Sequence, residues 1–248
     1  AAARAQPRSG GGILRRRHGS GRRNNSERVE LMNAVIEKTM KSLERNNMKA
    51  YYAENKARVC EIVKSMLFPG AVITAGGSVS LNESGVWDII SDPEYKFLNR
   101  LKPGISEEER LEIFRAAIGC DFFFCSSNAV TENGELINVD GNANRVSSIC
   151  FGPKKVVMVV GANKIVKDVD EGILRVKRIA APMNTARLSV DAPCKKLGHC
   201  ISLEKSESPK MTDGCCGSTR ICCDYLISAM QRVKDRINVI ICAESLGY

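Results

Sequence analysis

Six of the eleven cysteines in this 248-residue chain fall within one short stretch near its carboxyl end. Thiolates are soft ligands that suit zinc and iron–sulfur clusters, and a loop rich in glycine and lysine can wrap such a group. The spacing, C-x5-C-x14-C-C-x5-C-C, matches neither the zinc-ribbon pair nor the ferredoxin run. It predicts a metal or cluster site, with free thiols and disulfides as alternatives. The six are Cys194, Cys200, Cys215, Cys216, Cys222 and Cys223.

The remaining cysteines lie in predicted helices or strands, where a cysteine is more often a small buried hydrophobic residue than a ligand. We expect these five to be structural: Cys60, Cys120, Cys125, Cys150 and Cys242. His199 stands beside Cys200 and could supply a fourth ligand, although an exposed loop histidine is the simpler interpretation. Because the one other histidine is His18, the sequence indicates no Ser-His-Asp or Cys-His nucleophile.

A glycine loop, Thr74-Ala-Gly-Gly-Ser78, follows a predicted strand and precedes a predicted helix. Its glycines would let backbone N–H groups approach an anion at the helix N-terminus. Gly76, Gly77 and Ser78 are therefore candidate ligand-binding residues, with a tight turn that binds nothing as the alternative. Glu83, farther along the helix, is either part of this site or a solvated charge.

A polar stretch from 126 to 145 contains two turns, Glu132-Asn-Gly134 and Asp140-Gly141, which predict a strand, a tight hairpin and a polar loop. Polar residues after a buried strand lie at the carboxyl edge of an α/β sheet, where ligands bind. Turn chemistry alone is the alternative. The candidate catalytic residues are Glu132 and Asp140, and the candidate ligand-binding residues are Asn128, Asn142 and Asn144, with Asn138 and Arg145 nearby.

Hydrophobic spacing predicts that strands and helices alternate along the chain. Apolar strands without alternation are those covered on both faces, so the pattern predicts an α/β fold with a mixed or parallel sheet flanked by helices. The stretch 193–223 is predicted to be a cysteine-rich insert near the end of the sheet. We predict strands at 71–75, 120–125, 154–161 and 237–242, and helices from Ser26 through Leu43 and at 51–67, 82–91, 106–118, 168–181 and 225–233.

The net charge of +9 is concentrated at the amino end, because residues 1–24 hold seven arginines and no acid. We predict a disordered basic leader at 1–25 and an α/β domain at 26–248. The nearly balanced domain argues against a nucleic-acid partner, and no apolar run is long enough to span a membrane. The leader lacks the apolar segment of an export signal, so we expect a reducing compartment, the cytoplasm, with organelle import as the alternative.

Five ordered motifs together resemble the lactate-utilisation, or LUD-domain, family. The resemblance implies a fold similar to the superfamily of glucosamine-6-phosphate deaminase, ribose-5-phosphate isomerase and CoA transferase. It also implies association with an iron–sulfur oxidoreductase system that oxidises L-lactate, a 2-hydroxy acid, to pyruvate, although it assigns no reaction to this subunit alone. The motifs are Thr74-Ala-Gly-Gly-Ser-Val-Ser-Leu81, Ser127-Asn-Ala-Val-Thr-Glu-Asn-Gly-Glu135, Val139-Asp-Gly-Asn-Ala-Asn-Arg145, Phe151-Gly-Pro-Lys-Lys155 and Val160-Gly-Ala-Asn-Lys-Ile-Val166.

The carboxyl end is similar to a branch of that family with a cysteine motif that includes Arg-Ile-Cys. The resemblance implies that Cys194, Cys200, Cys215 and Cys222 hold an iron–sulfur cluster that transfers electrons, with zinc as the alternative. The implied partners are other iron–sulfur subunits of lactate oxidation and a small 2-hydroxy acid.

This chain departs from its relatives by inserting Ile201 to Gly214 between the second and third cysteines. A flexible insertion is tolerable because the cost of loop closure grows only logarithmically with length. It nevertheless leaves open that Cys216 or Cys223 substitutes for a neighbour.

Two further functions stay open at this point. One is a non-catalytic ligand-binding or scaffold module whose cysteines hold zinc or nothing. The other is a CoA-transferase-like enzyme, because CoA transferases of this fold use a glutamate in a Glu-Asn-Gly context as nucleophile, as at Glu132.

Overall fold

The structure is a computed structural model that describes residues 25–248, without the side chains of Asn25 and Arg28. The predicted basic leader therefore lies outside the described residues, except for Asn25, which begins the first helix.

A six-stranded parallel sheet forms the centre of the molecule. Its strands are β1 (Lys49–Ala53), β2 (Val72–Ala75), β3 (Lys96–Leu98), β4 (Phe122–Cys125), β7 (Lys155–Gly161) and β10 (Ile237–Cys242), in the spatial order β1-β10-β7-β4-β2-β3. The adjacent interior strands β7 and β10 are valine and isoleucine runs that are buried along almost their whole length. Strands of this composition require cover on both faces. The predicted α/β class with a mostly parallel sheet is confirmed.

A smaller four-stranded sheet lies beside the first, in the order β8-β5-β6-β9. Its strands are β5 (Ala129–Thr131), β6 (Leu136–Asp140), β8 (Ile165–Val166) and β9 (Asp224–Ser228). The strands β5 and β6 form the predicted antiparallel hairpin around Gly134, whose φ of +84° suits the tight turn. The polar loop that follows β6 is thereby held at a sheet edge.

Helices cover both faces of the large sheet, and two apolar cores form between these layers. The helices are α1 (Asn25–Arg45), α2 (Lys56–Met66), α3 (Val79–Glu83), α4 (Val86–Ile90), α5 (Glu107–Ala116), α6 (Asn144–Cys150), α7 (Val169–Arg175), α8 (Ala181–Arg187) and α9 (Pro193–Leu197). A π-helical turn, Val176–Ala180, joins α7 to α8. No helix among residues 25–248 is long and apolar enough to cross a membrane.

Some predicted elements differ from the structure. The segment 51–67 begins in β1 rather than in a helix, and 225–233 is β9 and a loop because Tyr225 to Ser228 pairs with β6. The helix predicted at 82–91 is instead α3 and α4, separated by Gly85 in the left-handed conformation. The helix predicted to finish near Pro182 continues to Arg187, because that proline occupies the first turn of α8.

Candidate functional site

A cavity of about 620 Å³ opens where the parallel strands end. The loops after β2, β3, β4 and β7 reach it, together with the loop after β6, the helices α5 and α8, and residues 218–221 of the cysteine-rich insert. In open α/β sheets this carboxyl edge is where ligands bind. The cavity is therefore the first candidate site.

Arg145 organises one wall of the cavity from the first turn of α6. Its Nη1 donates to the carbonyl of Ser126 at 2.8 Å, and its Nη2 donates to Asn128 Oδ1 at 2.8 Å. Its Nε donates to Asp140 Oδ1 at 3.0 Å, and Nη1 also donates to Asn138 Oδ1 at 2.5 Å. Because these acceptors occupy the whole guanidinium, Arg145 holds the loops after β4 and β6 together rather than offering a free charge.

The glycine loop makes room for two arginines. A methyl group on Gly76 would lie 3.2 Å from Arg145 Cδ, and one on Gly77 would lie 2.7 Å from Arg100 Nη2. The hydroxyl of Ser78 accepts from the backbone N–H of Leu81 and caps α3. The small residues thus let guanidinium groups, as well as backbone, approach this edge of the sheet.

Lys164 is a buried cation on the cavity wall, 3% exposed. Its Nζ donates to Ser80 Oγ at 2.9 Å and to Ser126 Oγ at 3.1 Å. Burial, with Arg175 and Arg145 nearby, lowers the pKa of Lys164 to about 7, against an opposing influence of Glu83 and Cys125. An amine of this pKa exists in both protonation states at neutral pH, which is what acid–base chemistry requires.

The cavity wall is strongly cationic. Two carboxylates on it are paired, Glu107 with Arg110 and Asp140 with Arg145. The other basic groups on the wall have no acidic partner within salt-bridge distance in the described chain. They are Arg100, Lys164, Arg187 and Arg220. An excess of unpaired positive charge in a cleft favours an anionic ligand.

The structure brings most of the predicted site residues to this cavity. Gly76 lies just behind the wall, against Arg145. The residues on the wall itself are Gly77, Ser78, Asn128, Asp140, Asn142 and Asn144. Asp140 uses both carboxylate oxygens to accept from Arg145 and from the backbone N–H of Val146, so it acts as a positioning group.

Glu132 does not line the cavity. It lies at the hairpin turn, where its Oε2 accepts from Lys38 Nζ of α1 at 2.7 Å. Its predicted catalytic role stays a prediction and receives no support from the cavity. The same holds for the CoA-transferase analogy, which depends on this carboxylate.

A second, smaller cavity collects four thiols. The cysteines Cys194, Cys200, Cys215 and Cys222 all line it, whereas Cys216 and Cys223 are exposed and do not. Apolar side chains of the π-helical turn and of α8, Val176 and Ala181, and the ring of Tyr225 complete the wall. The long insertion therefore does not separate the third cysteine from the first two.

Lys177 and Arg220 hold the thiol loop in place. The carbonyl of Lys177, in the π-helical turn, accepts from the backbone N–H of Cys200 at 2.8 Å, and its Nζ donates to the carbonyl of Asp213. The guanidinium of Arg220 donates to the carbonyl of Cys222 at 2.9 Å and to that of Cys215 at 3.2 Å. Arg220 also lines the large cavity, so it connects the two candidate sites.

Four thiols are the donor set that both iron–sulfur clusters and structural zinc use. Burial raises the pKa of Cys194 and of Cys215, and the neighbouring thiols raise it further. Binding a metal would therefore release protons from these thiols, and the positive charge of the metal would offset the repulsion between the thiolates that form. The buried hydroxyl of Tyr225 lies beside Cys222 and Arg220 but has no hydrogen-bond partner of good geometry among the described residues. A sulfide or thiolate in the cavity would supply one.

Within residues 25–248 no group of three or more His, Cys, Asp and Glu side chains is arranged to hold a metal ion. Ligands of a single metal ion must lie close together around one point. The thiolates of an iron–sulfur cluster can lie farther apart, because each binds a different iron. Iron–sulfur and zinc binding both stay predictions at this site. His199 lies 3.5 Å from Glu204 and does not line the thiol cavity.

The five cysteines expected to be structural are mostly enclosed. Cys120, Cys125 and Cys242 are buried, and Cys60 is half-buried and donates to the carbonyl of Ser84. Cys150 is exposed at the end of α6, so the expectation of burial is wrong for it.

Sequence reasoning missed the cations that give the large cavity its charge. Lys164 lies in the Val160–Val166 motif and Arg220 in the Arg-Ile-Cys motif, and both motifs carry the family resemblance, so the sequence held a signal for these two residues. Arg100 follows the short strand β3, and Arg187 ends α8. Neither has a local motif, because only the tertiary fold brings them together.

A sequence profile of the LUD domain matches residues 36–242. No protein of curated function matches the chain. The fold has similarity to a DUF162 family protein from Deinococcus radiodurans, with a TM-score of 0.44 and 15% identity over 86% of this chain and 98% of that one. It also has similarity to eIF2B beta from Chaetomium thermophilum, with a TM-score of 0.33 and 14% identity over 46% of this chain and 44% of that one.

Proposed function

Because the chain belongs to the LUD-domain family, we propose that it is a redox subunit for the oxidation of a 2-hydroxy acid such as L-lactate. In this proposal the large cavity binds the acid, and the four thiols of the smaller cavity would hold an iron–sulfur cluster. The single observation that carries the proposal is the convergence of four thiols beside a cationic cavity, with Arg220 in contact with both.

The charge of the large cavity supports binding of a carboxylate. A 2-hydroxy acid carries one carboxylate, and the unpaired cations Arg100, Lys164 and Arg187 stand on the wall. Charge-assisted hydrogen bonds from such groups are stronger than neutral ones and fix the orientation of the ligand. Backbone and amide groups of the loops after β4 and β6 complete the polar surface.

Lys164 is the group best suited to handle a proton in this reaction. Oxidation of a 2-hydroxy acid to a 2-oxo acid releases two electrons and two protons. With a pKa of about 7, part of the Lys164 population is an unprotonated amine at neutral pH, and Ser126 keeps it oriented towards the cavity. This form can accept the hydroxyl proton, and the ammonium that results is the cation that pairs with the carboxylate. The C–H bond of the hydroxyl-bearing carbon breaks at the same time, and its hydrogen leaves with the electron pair, as a hydride equivalent, to a two-electron acceptor in a partner subunit of the same iron–sulfur system.

The four thiols, Cys194, Cys200, Cys215 and Cys222, would hold the cluster, which when bound supplies one-electron transfer. Arg220 keeps two of their backbone segments in register by donating to the carbonyls of Cys215 and Cys222. The insertion between the second and third cysteines is anchored by Lys177, whose ammonium donates to the carbonyl of Asp213. These contacts order the loop before any group binds.

Anaerobic purification of the full chain tests this proposal. We expect iron and acid-labile sulfide in comparable amounts, and a visible absorption band that bleaches on reduction. Serine substitution at Cys194 or Cys222 should remove both, whereas Cys216→Ser and Cys223→Ser, which change exposed thiols outside the cavity, should retain them. Stoichiometric zinc or metal-free protein would instead support the redox-silent module and overturn the electron-transfer role.

A further inference from the structure

Two arginines of the large cavity converge on one point. A methyl group on Gly77 would lie 2.7 Å from Arg100 Nη2 and 3.6 Å from Arg187 Nη2. These side chains come from different elements, the loop after β3 and the end of α8. Both guanidinium groups therefore reach the same small volume beside the glycine loop.

Neither arginine is neutralised there. Arg100 uses its Nε to donate to the carbonyl of Ala75 at 3.2 Å, and its guanidinium lies over the ring of Phe114. Arg187 donates to Asn184 Oδ1 and, at 2.8 Å, to the hydroxyl of Tyr248. These neutral partners orient both groups, and no carboxylate of the described chain forms a salt bridge with either. Burial and the neighbouring charge of Arg187 lower the pKa of Arg100.

Two like charges held together are costly unless an anion lies between them. A phosphate suits this arrangement, because its oxygens can accept from two guanidinium groups at once, and arginine pairs are a recurrent means of phosphate recognition. The same wall has a second basic group, Lys164, which lies beside Ser126 and could pair with a carboxylate. The cavity, at about 620 Å³, also leaves room for a phosphate in addition to a small 2-hydroxy acid.

We propose that the cavity takes a phosphorylated 2-hydroxy acid, with its phosphate between Arg100 and Arg187 and its carboxylate near Lys164. This inference deepens the proposed function and rests on it in one respect, that the large cavity is the substrate site. It assigns the two arginines as specificity-determining residues. A side chain at Gly77 would shift the guanidinium of Arg100, because a methyl group there lies 2.7 Å from Arg100 Nη2.

The test is calorimetric titration of the full chain with a matched pair of ligands, 3-phosphoglycerate and glycerate, which differ only in the phosphate. L-lactate serves as the smaller reference. We expect 3-phosphoglycerate to bind at least about tenfold more tightly than glycerate, and this advantage to weaken at high ionic strength. Inorganic phosphate should compete for the same site.

The variants Arg100→Gln and Arg187→Gln should each reduce the preference for the phosphorylated ligand to about twofold or less. Gly77→Ala should reduce it as well, without removing any charge. The matched control is Arg115→Gln, which removes one positive charge from the exposed face of α5 outside the cavity and should keep the full preference. Circular dichroism confirms that each variant is folded.

Equal affinity for the two ligands, no binding of either, or a preference that survives in both arginine variants would each overturn the proposal. The titration does not depend on iron, so it is separable from the test of the proposed function. Phosphate discrimination by a chain that binds no iron would leave this inference standing without the redox role. A protein that binds an iron–sulfur cluster but has equal affinity for 3-phosphoglycerate and glycerate would support the redox role and overturn this inference.

Discussion

Asp140 and Arg145 form a buried ion pair that also starts a helix. Arg145 Nη2 lies 2.8 Å from Asp140 Oδ1, and both side chains are about nine-tenths buried. The other carboxylate oxygen of Asp140 accepts from the backbone N–H groups of Arg145 and Val146, at 2.7 and 2.8 Å. One carboxylate therefore fixes α6, the end of β6 and the arginine that joins two walls of the cavity.

Asp140→Asn should destabilise the protein, because it leaves the buried guanidinium of Arg145 without its counter-charge. Removing one partner of a buried pair costs about 3 kcal/mol. Urea denaturation measures the loss. The control, Glu132→Gln, breaks the more exposed pair with Lys38 and should cost less than about 1 kcal/mol. An Asp140→Asn protein of full stability would show that the carboxylate is not the structural anchor of this wall.

Residue types alone predict some strands of this protein but not others. The strands β7 and β10 could be predicted because their short runs are rich in β-branched valine and isoleucine, which is typical of a strand covered on both faces. The segment after Cys223 could not, because Tyr225, Leu226 and Ile227 suit either a helix or a strand. Its strand conformation depends on pairing with β6, which is distant in the chain.

The candidate sites likewise contain some residues that the sequence predicts and others that only the fold brings together. The four thiols and the asparagines after β4 and β6 stand close together in the sequence, so their types and spacing predicted a site. The pair Arg100 and Arg187 depends on how the loop after β3 meets the end of α8, and no local pattern encodes that contact. A sequence can thus indicate the polar groups of a site while leaving its net charge to the fold.

The hairpin turn at Gly134 should tolerate no side chain. Its φ is +84°, and a methyl group there would lie 2.7 Å from the backbone of Leu43 and Ser42 in α1. Gly70 has a similar φ of +77° but open space around it. Gly70→Ala should therefore cost about 1 kcal/mol for the left-handed backbone, and Gly134→Ala clearly more. Equal losses in thermal or urea denaturation would contradict the close approach of hairpin and helix.

The hydroxyl of Tyr225 provides a test that separates the metal-free from the loaded protein. It is buried in the thiol cavity beside Cys222 and Arg220 and makes no hydrogen bond of good geometry with either, and a poorly satisfied buried hydroxyl costs about 1 kcal/mol. In metal-free protein, Tyr225→Phe should be neutral or stabilising. In protein that carries a cluster, the same change should shift the reduction potential, because hydrogen bonds to the sulfurs tune it. A metal-free Tyr225→Phe variant with clearly reduced stability would mean that the hydroxyl has a partner.

Lys164 should make the stability of the protein depend on pH above neutrality. Its pKa is about 7 in the folded chain, because burial and the nearby Arg175 and Arg145 disfavour the charged form. In the unfolded chain it is about 10.4. Between these values the unfolded chain binds a proton that the folded chain does not, so the free energy of unfolding falls as pH decreases from 10 to 7. Below pH 7 both states are protonated and the penalty is constant.

Lys164→Met removes this dependence. Relative to the variant, wild-type protein should gain up to about 1.4 kcal/mol per pH unit between pH 7.5 and 9.5. Comparing the two proteins by urea denaturation cancels the titration of the cysteines and tyrosines that they share. Lys167→Met, which changes an exposed lysine on the same segment, should leave the wild-type pH profile unchanged. Parallel profiles for wild type and Lys164→Met would show that the amine is charged in the folded protein, and would remove it as the proton acceptor of the cavity.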